Sequence, residues 1–244
     1  ECVVAIDIKS DTTWATSFQD RQVNILNGAT LTVSVPMALD TVMMEEDAQV
    51  VFTATEGKLT ARSLRFAPLL SATGWKAFGM PFTSAVIKNS TEEEISAPST
   101  QNVDNGIWFA RLKDNKTPEF VVDESAFGMA GLWAANGDTY TISSEGAFEF
   151  KTLEEPAAPT ETGTFLMCSN PNTFTITLKQ SAYILTADGT SFEQEANPEI
   201  KPFQSFVLTD AKTLSTLRSL RIGDGVVTGN QTIEPVDGYY VTTD

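Results

Sequence analysis

The residues with the most chemistry to offer are the acids, 32 of them in a chain of 244 residues. Two carboxyl groups roughly 5–10 Å apart across a glycosidic bond can hydrolyse it, one protonating the leaving oxygen while the other attacks or activates water. That chemistry needs no imidazole, and the chain has no histidine. The acids gather as Glu45-Glu46-Asp47, Glu92-Glu93-Glu94 and Glu154-Glu155. Each group falls in an expected turn or loop, where such runs are usually solvated faces. The strand-borne E-x-D-x-x-E pattern of jelly-roll glucanases is missing. A carboxylate-type glycoside hydrolase therefore stands as the alternative reading, with no catalytic residue assigned.

Other catalytic chemistries lose their parts. Without histidine there is no Ser-His-Asp or Cys-His arrangement and no H-E-x-x-H zinc site. There is no C-x-x-C pair and no G-x-S-x-G elbow, and no serine stands three residues before a lysine. Gly57-Lys58 lacks the remainder of a phosphate-binding loop, and "GDGVVTG" (223–229) has the wrong spacing for a dinucleotide fingerprint. No cofactor and no metal are expected.

Ligand binding by aromatic faces is the next chemistry. The tryptophans are Trp14, Trp75, Trp108 and Trp133. "GIWFARL" and "GLWAANGDTY" each place a Trp shortly after a Gly, and an exposed indole or phenol offers a flat face to a sugar ring. Trp133, ahead of the "NGDTY" turn, is the preferred ligand-binding candidate, with Trp108 and Tyr140 beside it. Most such rings fill cores instead. Trp108 and Phe109 are strand neighbours, so one is expected to face inward and the other outward. Oxygen-rich turns occur at "NVDNG" (102–106), "NGD" (136–138), Asp188-Gly189 and "GDG" (223–225). None has EF-hand spacing, and turn chemistry explains them. Asn89, Asn115 and Asn230 head N-glycosylation sequons, a pattern frequent by chance in a chain rich in Ser and Thr.

The elements that must position these residues are strands. Hydrophobic residues make up 41% and charged residues 20%, the composition of a globular chain with a sizeable core. Alternating runs rich in Val, Ile, Thr, Phe and Tyr recur: "TLTVSV", "AQVVFTA", "IWFARL", "EFVVD", "TYTISS", "FEFKTL", "TFTITL", "AYILTA", "SFVLTD" and "GYYVTT". "TEGKL", "ANGDTY" and "TADGTSF" punctuate them with the glycines that tight turns require. One short helix is expected within Thr209–Leu220.

A phrase repeats at 19 residues. "VNILNGATLTV" starts at Val23 and "VMMEEDAQVVF" at Val42, which aligns Ala29 with Ala48, Leu31 with Val50 and Val33 with Phe52. That period suits one coil of a parallel solenoid, in which each turn stacks its apolar residues on the last; two similar hairpins would look alike. A third, imperfect unit follows at "KLTARSLRF". "APLLSATG" (67–74) reads as a boundary, "LEEPAAPTETG" (153–163) as an exposed loop or linker, and residues 89–106 as a long acidic surface loop. The expected organisation is all-β: a β-rung region over residues 1–70 docked on an antiparallel β-sandwich over residues 71–244.

The net charge of −16 repels nucleic acid and anionic membranes, and no apolar run approaches the ~18 residues of a membrane span. No cationic-then-apolar leader opens the sequence. Cys2 and Cys168 are the two cysteines. In an oxidising compartment they form a possible disulfide; otherwise they are separate thiols, Cys168 acting as a small buried hydrophobe.

"GATLTV", "MALDTVMMEEDAQVVF", "SLRFAPLL" and "WKAFGMPF" together resemble segments of secreted, cell-surface adhesin-like proteins of gut Bacteroidales. "AYILTADGTSFEQEANPEIKPFQSFVLTD", ending "LRSLRIGDG", looks like the closing strands of their β-sandwich module. The recurring features fall on Tyr183, Asp188-Gly189, Phe192, Ile200, Pro202, Phe203 and Phe206. The resemblance spans most of the chain. It implies an extracellular or outer-surface location, a glycan or surface-protein partner or a spacer role, and no established activity. By the same resemblance "EPVDGYYVTTD" looks like the beginning of a terminal strand that continues further.

Overall fold

Val23 lies beside Val42 and Leu31 beside Val50 because successive coils of the chain stack as parallel strands. A computed structural model describes residues 5–70, 74–80, 82, 85–96, 98, 106–123, 127–135 and 139–222. The first seven strands are β1 (Ile6–Ile8), β2 (Thr12–Trp14), β3 (Gln22–Ile25), β4 (Thr30–Val33), β5 (Met37–Glu45), β6 (Gln49–Phe52) and β7 (Leu59–Ala67). β1, β3, β5 and β7 pair in that order in one sheet, and β2, β4 and β6 form a second. The 19-residue interval is the rung interval, with Val33 opposite Phe52 as aligned. The third unit is β7, at a longer step that sets Met37 opposite Leu59. A rung also precedes the repeated phrase, with Ile6 opposite Val23 and Trp14 opposite Val33.

Local chemistry explains the stacking. β3 and β4 alternate half-buried and buried residues, so Val23, Ile25, Leu31 and Val33 point inward from both sheets. Each such side chain, removed from water, stabilises by about 1.5–3 kcal/mol. The corner turns match as well. The Ala29 amide donates to the Leu26 carbonyl at 3.0 Å, and the Ala48 amide to Glu45 at 3.1 Å. The third residue of each turn is left-handed, Gly28 at φ 76° and Asp47 at φ 60°. Aspartate is among the few side chains that tolerate that region.

The rung sheet continues past residue 70. The next strands are β8 (Lys76–Phe78), β9 (Ala85–Lys88), β10 (Ile107–Leu112), β11 (Phe120–Val122), β12 (Gly131–Ala135), β13 (Thr141–Ser144) and β14 (Phe148–Phe150). β13 pairs antiparallel with β7, Ile142 opposite Phe66, and β9 joins β13. β14 pairs with the other half of β7, Phe148 opposite Ala61. The boundary expected near residue 70 therefore divides neither the sheet nor the core.

A four-stranded antiparallel sheet, ordered β11-β10-β12-β8, lies against the rungs. Its two faces belong to two cores. Phe78, Ile107, Phe109, Trp133 and Ala135 join the rung residues. Ala77, Trp108, Ala110, Leu132 and Ala134 join Phe165, Tyr183, Phe192 and Val207. Trp108 and Phe109 do point to opposite faces, but both are buried, because this sheet is covered on each side. "GLWAA" is buried at all five positions for the same reason.

The last layer comprises β15 (Phe165–Ser169), β16 (Ile176–Thr177), β17 (Ala182–Leu185), β18 (Ser191–Glu195), β19 (Glu199–Ile200), β20 (Ser205–Thr209), α1 (Ala211–Thr216) and β21 (Ser219–Arg221). Five strands pair in the order β15-β20-β17-β18-β21, and β16 pairs with β19. The ribbon residues Ile176, Leu178 and Ile200 pack on the outward-facing Ala182, Phe206 and Leu208. The expected helix is shorter than its sequence window. Asp210 caps its start, Leu217 is already extended, and Leu220 pairs with Phe192 in β21. The "GYYVTT" strand reading lies outside the described residues.

Residues 170–175 clip this layer to the rungs. The Val50 amide donates to the Thr173 carbonyl and the Thr173 hydroxyl to the Val50 carbonyl, both at 2.7 Å. The Thr175 amide donates to the Gln49 side chain at 2.8 Å. Buried Asn170 secures the segment by donating to Phe174, Ile200 and Lys201 carbonyls. The open edge of β6 is thereby closed.

Candidate functional site

The three aromatic candidates are core residues. Trp133, Trp108 and Tyr140 are 0%, 1% and 2% exposed, so none presents a face to a ligand at the surface. Trp133 stacks on Phe127 with ring centroids 4.9 Å apart and meets Phe78 at 4.8 Å and Phe109 at 5.1 Å. This corrects the expectation of an exposed sugar platform. For the two tryptophans its cause is the double covering of the β10–β12 sheet; Tyr140, just before β13, is buried in the rung core. The indole N–H groups of Trp108 and Trp133 are buried without a partner.

Glu92, Glu93, Glu94 and Glu154 are exposed, as such runs are expected to be, while other acids fasten the fold. Asp11 accepts the Thr30 amide of the next rung at 3.0 Å, and Glu45 accepts the Asn27 amide at 3.0 Å. Glu46 accepts the Leu69 amide at 2.9 Å with one oxygen and pairs with Lys76 through the other. Asp47 pairs with Lys201 at 2.9 Å, from rung corner to final layer. Glu93 accepts from the Asn89 side chain and the Thr91 hydroxyl, and Glu155 accepts the Lys179 amide. The 153–163 segment lacks strands but is tied down at Leu153, Glu155 and Gly163, so it runs along the surface as a strap.

Asp188 does turn chemistry, accepting from the Thr186 hydroxyl at 2.6 Å and the Thr190 amide at 3.1 Å. Those bonds hold its carboxyl below the usual range. The "NGD" and "GDG" turns and all of "NVDNG" but Gly106 lie outside the described residues. Among the described residues no cluster of three or more His, Cys, Asp or Glu could hold a metal ion. Cys168 carries a free thiol whose pKa burial pushes up to about 12. Cys2, the other cysteine of the disulfide left open by the sequence, lies outside the described residues, as does the sequon at Asn230.

A cleft of about 390 Å³ lies where three parts of the fold meet. Its wall is formed by residues 46–48 at a rung corner, Phe66 of β7, residues 75–78 at β8, residues 185–187 after β17, and residues 201, 202 and 204 before β20. The hairpin after β17 sits tightly on β8. Gly189 lies at φ +70°, and a Cβ there would fall 2.6 Å from the Trp75 carbonyl oxygen. The Lys201–Gln204 turn is closed by the Lys201 amide donating to the Gln204 side chain at 2.9 Å and the Gln204 amide to the Lys201 carbonyl at 3.1 Å. Sequence reasoning passed over this cleft because its parts lie up to about 150 residues apart; only the unusual "PF" after Lys201 marked the place.

Among the described residues the carboxyls that shift, Asp114, Glu149, Asp188 and Asp210, all shift downward, through amide, hydroxyl or lysine partners. No described helix is long and apolar enough to cross a membrane. Comparison with protein-family models, curated proteins and solved structures finds no match.

Proposed function

We propose that the protein is a non-enzymatic module of an extracellular or outer cell surface, which binds glycan or protein or spaces other modules apart. One observation carries the reading: the acids positioned to do chemistry are already engaged in holding the fold. Glu46 and Asp47, the two carboxylates on the cleft, each face a lysine ammonium. Each would have to leave its lysine, and Glu46 also the Leu69 amide, before it could act on a glycosidic bond. The chain's lack of histidine removes the commonest alternative proton carrier. The charge of −16 suits an exposed, soluble surface. The resemblance to adhesin-like proteins of gut Bacteroidales points the same way.

The test is a reducing-end assay of the full chain against a panel of polysaccharides. No turnover is expected. Turnover abolished by Glu46→Gln or Asp47→Asn, with the circular dichroism spectrum intact, would replace this reading with the glycoside hydrolase.

A further inference from the structure

We infer that the cleft at the rung corner binds a neutral saccharide, an inference that rests on the non-catalytic reading above and names its ligand class. The first argument is charge. The chain carries −16, yet the cleft's two acids, Glu46 and Asp47, are matched by two lysines, Lys76 and Lys201. Locally the sum is zero. An anionic ligand would have to compete with Glu46 and Asp47 for the ammonium groups. A cation would meet two lysines already in place. A ligand bearing adjacent hydroxyls escapes both conflicts, since one hydroxyl donates to a carboxylate while its neighbour accepts from the paired lysine.

The second argument is shape. The inner pair, Lys76–Glu46, is sunk in the wall, with side chains 28% and 17% exposed, whereas the outer pair is open at 60% and 37%. A ligand entering from solvent therefore reaches Lys201 and Asp47 first, with half-buried Leu185 beside them and Phe66 and Trp75 almost wholly buried in the wall behind. A wall that mixes charged and apolar residues suits a pyranose ring, which has hydroxyl edges and C–H faces. The volume of about 390 Å³ lies within the ~300–1,000 Å³ typical of small-ligand sites.

The third argument is backbone conformation. Asp47 and Phe203 both adopt left-handed φ, at 60° and 61°. Aspartate tolerates that region, but for phenylalanine it costs free energy, and such outliers gather at binding sites. Phe203 is held there by burying its ring fully against Phe66, centroids 5.1 Å apart. The effect is to fold residues 201–204 back so that Lys201 reaches Asp47 across the cleft.

The experiment uses an oligosaccharide array bearing neutral hexose and N-acetylhexosamine chains beside uronate- and sialate-bearing ones, followed by titration calorimetry of the hits. Ala187, exposed at the cleft and outside both cores, is replaced in Ala187→Trp to fill the space. A second variant, Asp47→Asn with Lys201→Gln, removes the outer pair without leaving a lone charge. Wild type is expected to bind neutral chains in preference to acidic ones. Affinity should fall about tenfold or more in both variants, while the thermal midpoint of Ala187→Trp stays at the wild-type value. Binding that survives Ala187→Trp, a preference for acidic chains, or no binding across the array each overturns the inference. None of these outcomes bears on the non-catalytic reading, which fails only on turnover.

Discussion

Asp210 shows how a single side chain joins three segments. One carboxylate oxygen accepts the Lys212 and Thr213 amides of α1, and the other accepts the Thr213 hydroxyl and the Gly163 amide of the surface strap. Led by the Thr213 hydroxyl, these bonds hold its carboxyl well below the ordinary aspartate value of ~3.9. The folded pKa is thus lower than the unfolded one. Its contribution is full above ~pH 5 and fades as pH falls through ~3.9 towards the folded value. Thermal melts from pH 7 to pH 3 should show wild type losing stability steeply at the acid end and Asp210→Asn losing less; parallel curves would refute this. Trp133 gives a second residue-scale expectation. Trp133→Ala empties a buried aromatic site and should cost about 3–5 kcal/mol in urea unfolding. Trp133→Phe should cost much less, because it removes a partnerless buried N–H worth about 1–3 kcal/mol of desolvation. The sequence identified Trp133 as notable but not its setting. An apolar residue flanked by Leu132 and Ala134 reads alike on a sheet covered once or twice, and only the continuous run "GLWAA" hinted at the second cover.

At the scale of elements, the repeated phrase was legible because parallel stacking sets like positions directly opposite each other. A residue that suits the core at Val23 suits it again at Val42, and the corner turn recurs with it. What stayed hidden were the steps that depart from 19: Ile6 to Val23 in the first rung, whose other strand keeps the interval from Trp14 to Val33, and Met37 to Leu59 in the last. There the corners differ in length, so no fixed interval reveals them. The equivalence of the two matching corners is testable. Asp47 already occupies the left-handed position that Gly28 fills one rung earlier, and nothing lies within 4 Å of a Cβ at Gly28. Gly28→Asn should therefore shift stability by no more than about 0.5–1 kcal/mol. Gly28→Val, branched at the wrong conformation, should cost at least about 1–2 kcal/mol by the same denaturation assay. Equal costs for the two would mean the corner is not conformationally constrained.

The whole molecule folds around cores that ignore the boundary drawn from composition. Phe66 of the rungs meets Phe78 at 5.6 Å and Phe203 at 5.1 Å, and the same core holds Trp133, Tyr140 and Phe150. Long-range joins of this kind leave no trace in local pattern, so the break at "APLLSATG" read as a domain edge although the strands and core on its two sides are shared. Residues 1–70 expressed alone should show no β spectrum by circular dichroism, and the full chain should unfold in one urea transition seen alike by tryptophan fluorescence and circular dichroism. Two separated transitions, or a folded fragment, would make the rungs an autonomous unit. The clip at residues 170–175 has one more bearing. It grips only β6, while the rungs behind it repeat on one 19-residue step. Tandem duplication of residues 23–41 would therefore lengthen the stack by one strand spacing, about 4.8 Å, and leave the clip untouched. Heredity has in this corner of the fold an adjustable ruler, able to grow in fixed increments without inventing a new interior.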